Sequence, residues 1–419
     1  MKNVLLINSS RENAARALQR REDIRLSVIT MPEYLHHYGP GTDVEVVDTI
    51  EDLTQVRLAA LRIRARNPFD HVVAPSEWSI QAGGYIRSYF GLPGTGYAVS
   101  NAFSNKLVMK QELAAAGLPV ADFRRLDSFA HAADAGDELG WPIVVKRAFG
   151  GGSEDIFVLR DADHARRLAT DAATAGLRAA PYPLLAEELI DIETEFHCDG
   201  IVVDGQVRFA PVSRYLAPVL RSVGGAIGSY TLPEDDPNAR VVAALHERVV
   251  AALGLTDGVT HLEVLQCSRG HLVGEIACRT GGGGIAAQLE HQYGVDQLGA
   301  LLDLSLGLGV EVRQPARSDH MIQYMLPRPL GTVTAVTPVE ELLAAPGVVH
   351  AEVTTRVGDV FHGPVDSSVY GGIVVMRAAD EAQVAERTAE IGRRFTTTVA
   401  GSGDARPVVL AAAGHDGRG

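Results

Sequence analysis

Residues 260–284 read THLEVLQCSRGHLVGEIACRTGGGG, two apolar strands joined by a short polar turn and followed by a run of glycines. Glu263 and Glu275 are equidistant from Arg269, so a turn centred on Arg269 would place the two carboxylates opposite each other on one face of a hairpin. Like charges at such a pair destabilise a sheet unless a cation neutralises them. Oxygen ligands in this small number suit Mg²⁺, with Mn²⁺ as an alternative. A shifted register would instead leave two solvated glutamates.

The segment after the hairpin carries an arginine and a glycine run. Arg279 stands four residues after Glu275, and Gly281 to Gly284 follow. An arginine beside a metal site can hold a phosphoryl group or a carboxylate through paired hydrogen bonds. Glycines such as Gly282 and Gly283 let a ligand approach the backbone closely. A loop held by a structural salt bridge is the alternative.

Two segments upstream have features of a nucleotide site. In PIVVKRAFGGGSEDIFVL, residues 142–159, Lys146 ends an apolar strand and the chain then turns through Gly150 to Ser153. Backbone amides of such a loop can cover phosphates, although a glycine run is more often a flexible turn. In LLAEELIDIETEFHCDG, residues 184–200, an apolar strand enters an acidic run that begins at Glu187. An adenine could use backbone groups there and a ribose a carboxylate, or the acids could form a solvated face.

Lysine is scarce in this chain. Only four of the 38 basic residues are lysine, namely Lys2, Lys106, Lys110 and Lys146. Because arginine is strongly preferred over lysine in this chain, each remaining lysine is a candidate for a chemical role. For Lys2 and Lys110 a chance position on the surface is an equal alternative.

The first hundred residues alternate strand and helix, from VLLINS and RENAARALQRR to HVVAPS. This alternation predicts a parallel sheet with helices on its faces. Neither GxGxxG nor the GxxxxGKS/T phosphate motif occurs, so the segment is expected to bind substrate or to act as a scaffold.

The composition narrows the range of partners. The chain has 419 residues and a formal charge of -14, which argues against binding a nucleic-acid backbone. No apolar run of 18 residues occurs, so we expect neither a signal peptide nor a membrane span. The three cysteines are too few for a disulfide framework and lack the spacing of a zinc site, and a cytoplasmic location is expected.

Taken in order, these segments resemble the ATP-grasp superfamily, and specifically its carboxylate-amine ligases such as the L-amino-acid (dipeptide) ligases. The resemblance covers almost the whole chain and implies an α/β fold with α+β grasp lobes. It implies an N-terminal parallel-sheet domain over residues 1–103 and a linker helix with a central lid lobe over 104–186. A C-terminal lobe would follow over 187–405, with a closing subdomain from about 317 and a disordered tail over 406–419.

The resemblance also implies a role for particular residues. It assigns ATP binding to Lys106, Lys146, Gly151, Gly152, Ser153, Glu187, Glu188, Ile190 and Glu195, with Glu195 as the ribose carboxylate. It assigns Mg²⁺ to Glu263 and Glu275, and catalysis to Arg279 and Lys146. It places the acid substrate near Arg279, Gly282 and Gly283. The chain departs from the family at Ala277, where Asn is common, and at Ile192 and Glu193, where a glycine is common.

The implied reaction is ATP-dependent formation of an amide from a small carboxylic acid and an amine through an acyl phosphate, releasing ADP and phosphate. A loop bearing Arg214 and Arg221 is a candidate lid over the acid, or an ordinary surface loop. His261 and His291 are candidate bases, although a lone histidine is more often structural and the leaving phosphate could take the proton instead. The alternatives are a ligase that activates formate or bicarbonate, and a catalytically silent nucleotide-binding protein. Neither a nucleic acid nor a membrane is an expected partner, and a homodimer is left open.

Overall fold

A computed structural model of the chain describes residues 1–152, 155–312, 315, 317–362 and 367–400. The tail predicted to be disordered, residues 406–419, lies outside the described residues. The described chain forms an N-terminal α/β domain, a small lid lobe and a large C-terminal lobe. No helix among the described residues is both long and apolar enough to cross a membrane.

The N-terminal domain is built on a four-stranded sheet. Its strands are β1 (Lys2–Ile7), β2 (Ile24–Thr30), β3 (Asp43–Val46) and β4 (His71–Val73). Its helices are α1 (Glu12–Gln19), α2 (Leu53–Arg66), α3 (Ile80–Phe90) and α4 (Tyr97–Ala102), with 3₁₀ turns at Pro32–His37 and Glu77–Ser79. All three strand pairs are parallel, as predicted, and the order is β3-β2-β1-β4. The order reverses between β1 and β4, which makes a crevice at the carboxyl ends of these two strands.

The lid lobe follows α5 (Lys106–Ala115). Its strands are β5 (Phe123–Leu126), β6 (Ile143–Arg147), β7 (Phe157–Leu159) and β8 (Leu184–Glu188). Its helices are α6 (Ala132–Leu139), α7 (Ala162–Leu168) and α8 (Ala175–Arg178), with 3₁₀ turns at Phe129–His131 and Ala172–Thr174. The sheet is antiparallel in the order β5-β8-β6-β7. The predicted boundary between 186 and 187 falls within β8, so the strand assigns Glu187 and Glu188 to the lid sheet.

The C-terminal lobe contains most of the strands. They are β9 (Thr194–Val203), β10 (Gln206–Phe209), β11 (Val212–Tyr215), β12 (Ile227–Thr231), β13 (Gly258–Cys267), β14 (Gly270–Ala277), β15 (His320–Leu326), β16 (Gly331–Val336), β17 (Val348–Val353), β18 (Val360–Phe361), β19 (Gly372–Ala378) and β20 (Thr397–Ala400). The helices are α9 (Val219–Ser222), α10 (Pro237–Leu253), α11 (Ile285–Tyr293), α12 (Gln297–Ser305), α13 (Val339–Leu343) and α14 (Glu381–Arg394).

Nine of these strands form one sheet, in the order β14-β13-β9-β11-β12-β15-β19-β17 with β10 beside β9. A separate sheet contains β18, β16 and β20. The segment after residue 317 was expected to form a closing subdomain. Three of its strands, β15, β17 and β19, continue the large sheet, because they pair in an unbroken series with β12.

The two faces of the large sheet have different chemistry. Phe196 and Cys198 of β9 enter the main apolar core, together with residues of α10. Alternation along the strand therefore sends Glu195, His197 and Asp199 to the opposite face. These three side chains are buried as well, so the polar face of the sheet is covered by other parts of the chain.

Candidate active site

The two glutamates of the hairpin lie directly opposite each other. Glu263 of β13 pairs with Glu275 of β14, which confirms the predicted cross-strand pairing. The turn itself differs from the prediction. Cys267 pairs with Gly270, so the turn consists of residues 268–269 and is not centred on Arg269.

A β-bulge in β14 compensates for the displaced turn by adding one residue between the turn and Glu275. Val264 pairs with Val273, and Gly274 is an extra residue before Glu275 resumes the ladder. In an unbulged hairpin with this turn, Glu275 would lie opposite Leu262, which belongs to the apolar core. The bulge therefore places Glu275 on the polar face of the sheet beside Glu263.

This pair of carboxylates fits a hard divalent cation. Both belong to one face, neither is fully buried, and cations partly offset their charges already. Lys106 Nζ lies 2.9 Å from Glu275 Oε1, and His261 Nε2 lies 3.5 Å from Glu263 Oε1. Burial tends to raise the pKa of Glu263, but the hydrogen bond and the charge of His261 outweigh burial and lower it. Glu263 and Glu275 are the residues that could hold Mg²⁺.

Helix α5 supplies two buried lysines, one turn apart. Lys106 donates a hydrogen bond to the Gly150 carbonyl in addition to its ion pair with Glu275. Lys110 is 2 % exposed; its Nζ lies 2.9 Å from Glu187 Oε1 and donates to the Val273 carbonyl at 3.0 Å. The alternative of a chance surface lysine is therefore wrong for Lys110. Lys110 joins the helix to the lid sheet and to the hairpin that carries Glu275.

Glu187 is held between two ammonium groups. Its carboxylate pairs with Lys110 and with Lys146 of β6. Burial tends to raise the pKa of Glu187, but the two lysines outweigh burial and lower the pKa to about 2. The carboxylate is therefore ionised and positions both lysines.

The resemblance placed the adenine site at Glu187, Glu188 and Ile190, the last two through backbone groups. The Glu188 carboxylate accepts a hydrogen bond from the Asp122 amide at 2.7 Å and pairs with Arg269 at 2.6 Å. The backbone of Leu189 donates to the Pro142 carbonyl, and Ile190 lies two residues beyond the end of β8. The backbone N–H of Glu188 also donates to the Asp122 carbonyl, at 3.0 Å, and the adenine contact stays a prediction.

Glu195, the predicted ribose carboxylate, is 5 % exposed and accepts a hydrogen bond from the Val219 amide at 2.8 Å. Burial, followed by the charge of Glu263, raises the pKa of Glu195 to about 8. Val219 begins α9 in the predicted lid loop. Arg221 of this helix is exposed and pairs with Asp191, so the structure does not bring it to the hairpin carboxylates.

The glycine loop after β6 connects all three parts of the chain. Gly150 and Gly152 have positive φ angles of 113° and 71°. A Cβ on Gly151 would lie 3.5 Å from Glu77 Cγ and 3.6 Å from Arg279 Nη2. The Gly152 carbonyl accepts a hydrogen bond from the Ser367 amide. Ser153 lies outside the described residues.

Arg279 connects the C-terminal lobe to the N-terminal domain. Its Nε donates to the carboxylate of Glu77, and its Nη1 donates to the Thr280 carbonyl at 2.9 Å. Arg11 donates to the same carbonyl at 3.3 Å. Neither Arg11 nor Glu77 belongs to a motif that is recognisable in the sequence. Their positions shortly after β1 and β4, at the point where the strand order reverses, are the signal that could have identified them.

The glycines after Arg279 serve different purposes. A Cβ on Gly282 would meet nothing within 4 Å, so this position is open. Gly283 has a φ of 60°, and a Cβ there would lie 2.4 Å from Met325 Sδ. Gly283 is therefore required by the fold of the loop.

A histidine cluster borders the hairpin carboxylates. Asp199 accepts hydrogen bonds from His197 at 2.5 Å and from His261 at 2.8 Å, and His197 Nε2 lies 2.7 Å from Ser229 Oγ. Burial opposes protonation, but Asp199 outweighs it and raises the pKa of His261 to about 9. His261 shares a face with Glu263, as predicted, and lies opposite Ala277. The other candidate base, His291, is exposed and lies against the ring of His350, outside this cluster.

Comparison with known proteins gives consistent matches. The model of the L-amino acid ligase C-terminal domain 2 matches residues 323–400. An L-arginine-specific L-amino acid ligase from Bacillus subtilis is 36% identical over 380 residues, which are 88% of this chain and 91% of the relative. Dapdiamide A synthase from Enterobacter agglomerans is 25% identical over 314 residues, 70% of this chain and 72% of the relative.

Solved structures share the fold. An L-amino acid ligase from Bacillus licheniformis superposes with a TM-score of 0.74 at 18% identity, covering 96% of this chain and 99% of that one. An N5-carboxyaminoimidazole ribonucleotide synthetase from Thermotoga maritima superposes with a TM-score of 0.67 at 15% identity, covering 96% and 100%. The expected arrangement of an N-terminal parallel sheet and two grasp lobes is confirmed.

Proposed function

The chain belongs to the L-amino acid ligase family of ATP-grasp enzymes, which form amide bonds between amino acids with ATP, and we propose that the residues described above carry out this reaction. The nucleotide would lie between the lid sheet and the large sheet. The backbone of Glu188 and Ile190 would contact adenine, and Glu195 would contact the ribose. Because Glu195 has a raised pKa, it can donate or accept a hydrogen bond there near neutral pH.

The triphosphate would lie where the glycine loop, Lys106 and Lys146 meet. Gly151 and Gly152 would supply backbone amides, and the two ammonium groups would offset phosphate charge. Glu263 and Glu275 would hold Mg²⁺. When bound, this cation would neutralise charge on the phosphates as ADP leaves.

Activation of the acid requires a carboxylate oxygen to attack the γ-phosphorus while the bond to the ADP oxygen breaks. Arg279 would hold the transferred phosphoryl group, since it follows Glu275 by four residues and its guanidinium lies against the glycine loop at Gly151. Glu77 orients this guanidinium through Nε. The glycine loop, which lies against Glu77 and Arg279, would exclude water from the acyl phosphate.

Amide formation follows when the amine attacks the acyl carbon and phosphate leaves with the bridging oxygen. Arg279 would stabilise the negative charge that develops on the carbonyl oxygen. The amine proton passes to the leaving phosphate or to solvent. His261 would act by holding Glu263 in place, because both of its ring nitrogens already face carboxylates.

The observation that carries this proposal is the placement of Glu263 opposite Glu275, with Lys106 contacting both Glu275 and the glycine loop. The side chain of Lys106 thereby joins the proposed metal site to the proposed phosphate site. We propose L-amino acids as the substrates, with arginine as the first candidate because a relative is arginine-specific.

The test is an assay of phosphate release from ATP and Mg²⁺ over a matrix of amino acids, singly and in pairs, with mass spectrometry of nucleotide and product. We expect ADP and a condensed dipeptide. Phosphate release that requires bicarbonate or formate, release of AMP, or no turnover with any pair would each contradict the proposal.

A further inference from the structure

Arg11 belongs to the crevice of the N-terminal domain. It lies four residues after β1 and next to the reversal of strand order between β1 and β4, where open α/β sheets bind ligands. Glu77 follows β4 at the same edge. The loop of Arg279 and Thr280 in the C-terminal lobe closes the crevice from the other side.

Counted over the described residues, the ion pairs of the crevice leave one positive charge without a carboxylate partner. Arg11 and Arg279 converge on the Thr280 carbonyl. Glu77 pairs with Arg279, whereas among the described residues no carboxylate pairs with Arg11.

The surroundings make this excess charge costly. Burial, followed by the charge of Arg279, lowers the pKa of Arg11 to about 10. A guanidinium that is desolvated and close to another cation is destabilising unless an anion joins it. The crevice is therefore complementary to an anionic ligand.

The proposed reaction involves two carboxylates with different fates. The carboxylate of the acid substrate is consumed, because it becomes the acyl phosphate beside Arg279. The α-carboxylate of the amine substrate does not react and remains as the carboxyl terminus of the product. A guanidinium that is permanently charged and can form paired hydrogen bonds suits this second carboxylate.

We propose that Arg11 binds the α-carboxylate of the amino acid that supplies the amine, an inference that rests on the proposed function. The shared contact with Thr280 sets Arg11 beside Arg279. A carboxylate held by Arg11 would therefore place its own α-amine, one carbon away, next to the acyl group at Arg279. Arg11 is in this way a specificity-determining residue for the amine substrate.

The test compares two amines on the full-length enzyme with ATP and Mg²⁺: the amine partner identified by the condensation assay and its α-carboxamide. We expect the wild type to prefer the amino acid by about 100-fold or more in kcat/KM. Arg11→Met should remove this preference by lowering kcat/KM for the amino acid, while the value for the amide and the KM for ATP change less than about threefold. Arg11→Lys, which retains charge but loses the paired geometry, should fall between the two.

Arg25→Met is the matched control, since Arg25 is an exposed arginine of the same domain, and it should keep the wild-type preference. An Arg11→Met enzyme that still prefers the amino acid, or that shows a raised KM for the acid substrate instead, would overturn the inference. So would an Arg11→Lys enzyme with the full wild-type preference. A wild-type enzyme that condenses no pair of amino acids would overturn the proposed function itself, which is a distinguishable result.

Discussion

Lys106 Nζ lies 2.9 Å from Glu275 Oε1, so a lysine proposed to bind phosphate is paired with a carboxylate proposed to bind metal. Lys106 is 7 % exposed, and the pair is therefore only weakly screened by solvent. A divalent cation that binds Glu275 must compete with this ammonium group. With the proposed roles of the two residues, metal binding and phosphate binding would be coupled through this ion pair.

Lys106→Met is expected to strengthen the binding of Mn²⁺ alone about tenfold, because it removes a competing charge worth on the order of 1 kcal/mol. The same variant should weaken ATP binding. Electron paramagnetic resonance of free Mn²⁺ measures the first effect and calorimetry the second. Lys2→Met, which removes a lysine next to His71, should change neither. Unchanged or weaker Mn²⁺ binding by Lys106→Met would show that the pair does not compete with metal.

Glu275→Ala is expected to abolish turnover, with phosphate release reduced by about a thousandfold or more, while the fold survives. The reason is that it removes one of two carboxylates proposed to hold the cation. Phosphate release and the circular dichroism melting curve measure the two effects. Glu290→Ala, at an exposed position of α11, should remain active. An active, metal-dependent Glu275→Ala enzyme would refute the metal assignment.

Glu187→Gln is expected to lower the free energy of unfolding by about 3 kcal/mol at pH 7, because it leaves two buried lysines without their shared carboxylate. The folded pKa of Glu187, about 2, lies below the ordinary value of 4.5. The contribution is therefore present above pH 4.5 and is lost as the pH falls towards 2. Urea unfolding at pH 7 and pH 3 should show the difference between variant and wild type shrinking at the lower pH.

Glu12→Gln provides the control for this comparison, since Glu12 forms an exposed pair with Arg16 on α1. It should leave stability unchanged within error at both values of pH. A Glu187→Gln difference that stays constant between pH 7 and pH 3 would mean that the carboxylate does not carry the stability assigned to it.

His261→Asn is expected to show the opposite dependence on pH. The folded pKa of His261, about 9, lies above the ordinary value of 6.5, so its contribution is complete below pH 6.5 and is lost as the pH rises through 9. The loss of stability on substitution should approach about 3 kcal/mol at pH 6 and shrink towards pH 9.5. Urea unfolding measures it, with His36→Asn at an exposed position as the control. A loss that grows with pH would exclude a protonated His261 in the folded protein.

The large features of the fold could be predicted from the sequence. Strand and helix periods predicted the parallel sheet of the first domain, and the hairpin of β13 and β14 was predicted with its glutamates opposed. These features follow from local patterns of apolar residues and turns, which depend on residues close together in the chain. The pairing of Glu263 with Glu275 was right although the turn was displaced, because the bulge at Gly274 compensates for it.

Features that depend on contacts between distant segments could not be predicted from the sequence. Lys110 looked like a possible surface lysine, and its burial is decided by Glu187 and Val273, which lie 77 and 163 residues away. Arg11 and Glu77 do not lie in a recognisable sequence motif. They meet Arg279 because the C-terminal lobe packs against the carboxyl edge of the first sheet.

The sequence by itself determined the kinds of chemical group available: two opposed carboxylates, scarce lysines, a glycine loop and an arginine after the hairpin. The tertiary structure alone decided how these groups are paired. It set Glu187 between Lys110 and Lys146, Lys106 against Glu275, and Arg11 beside Arg279 with no carboxylate partner in the part of the chain that the structure describes. Local sequence specifies where a side chain points along its strand or helix, but the charge that it meets comes from another part of the chain, and only the packing of the lobes brings the two together.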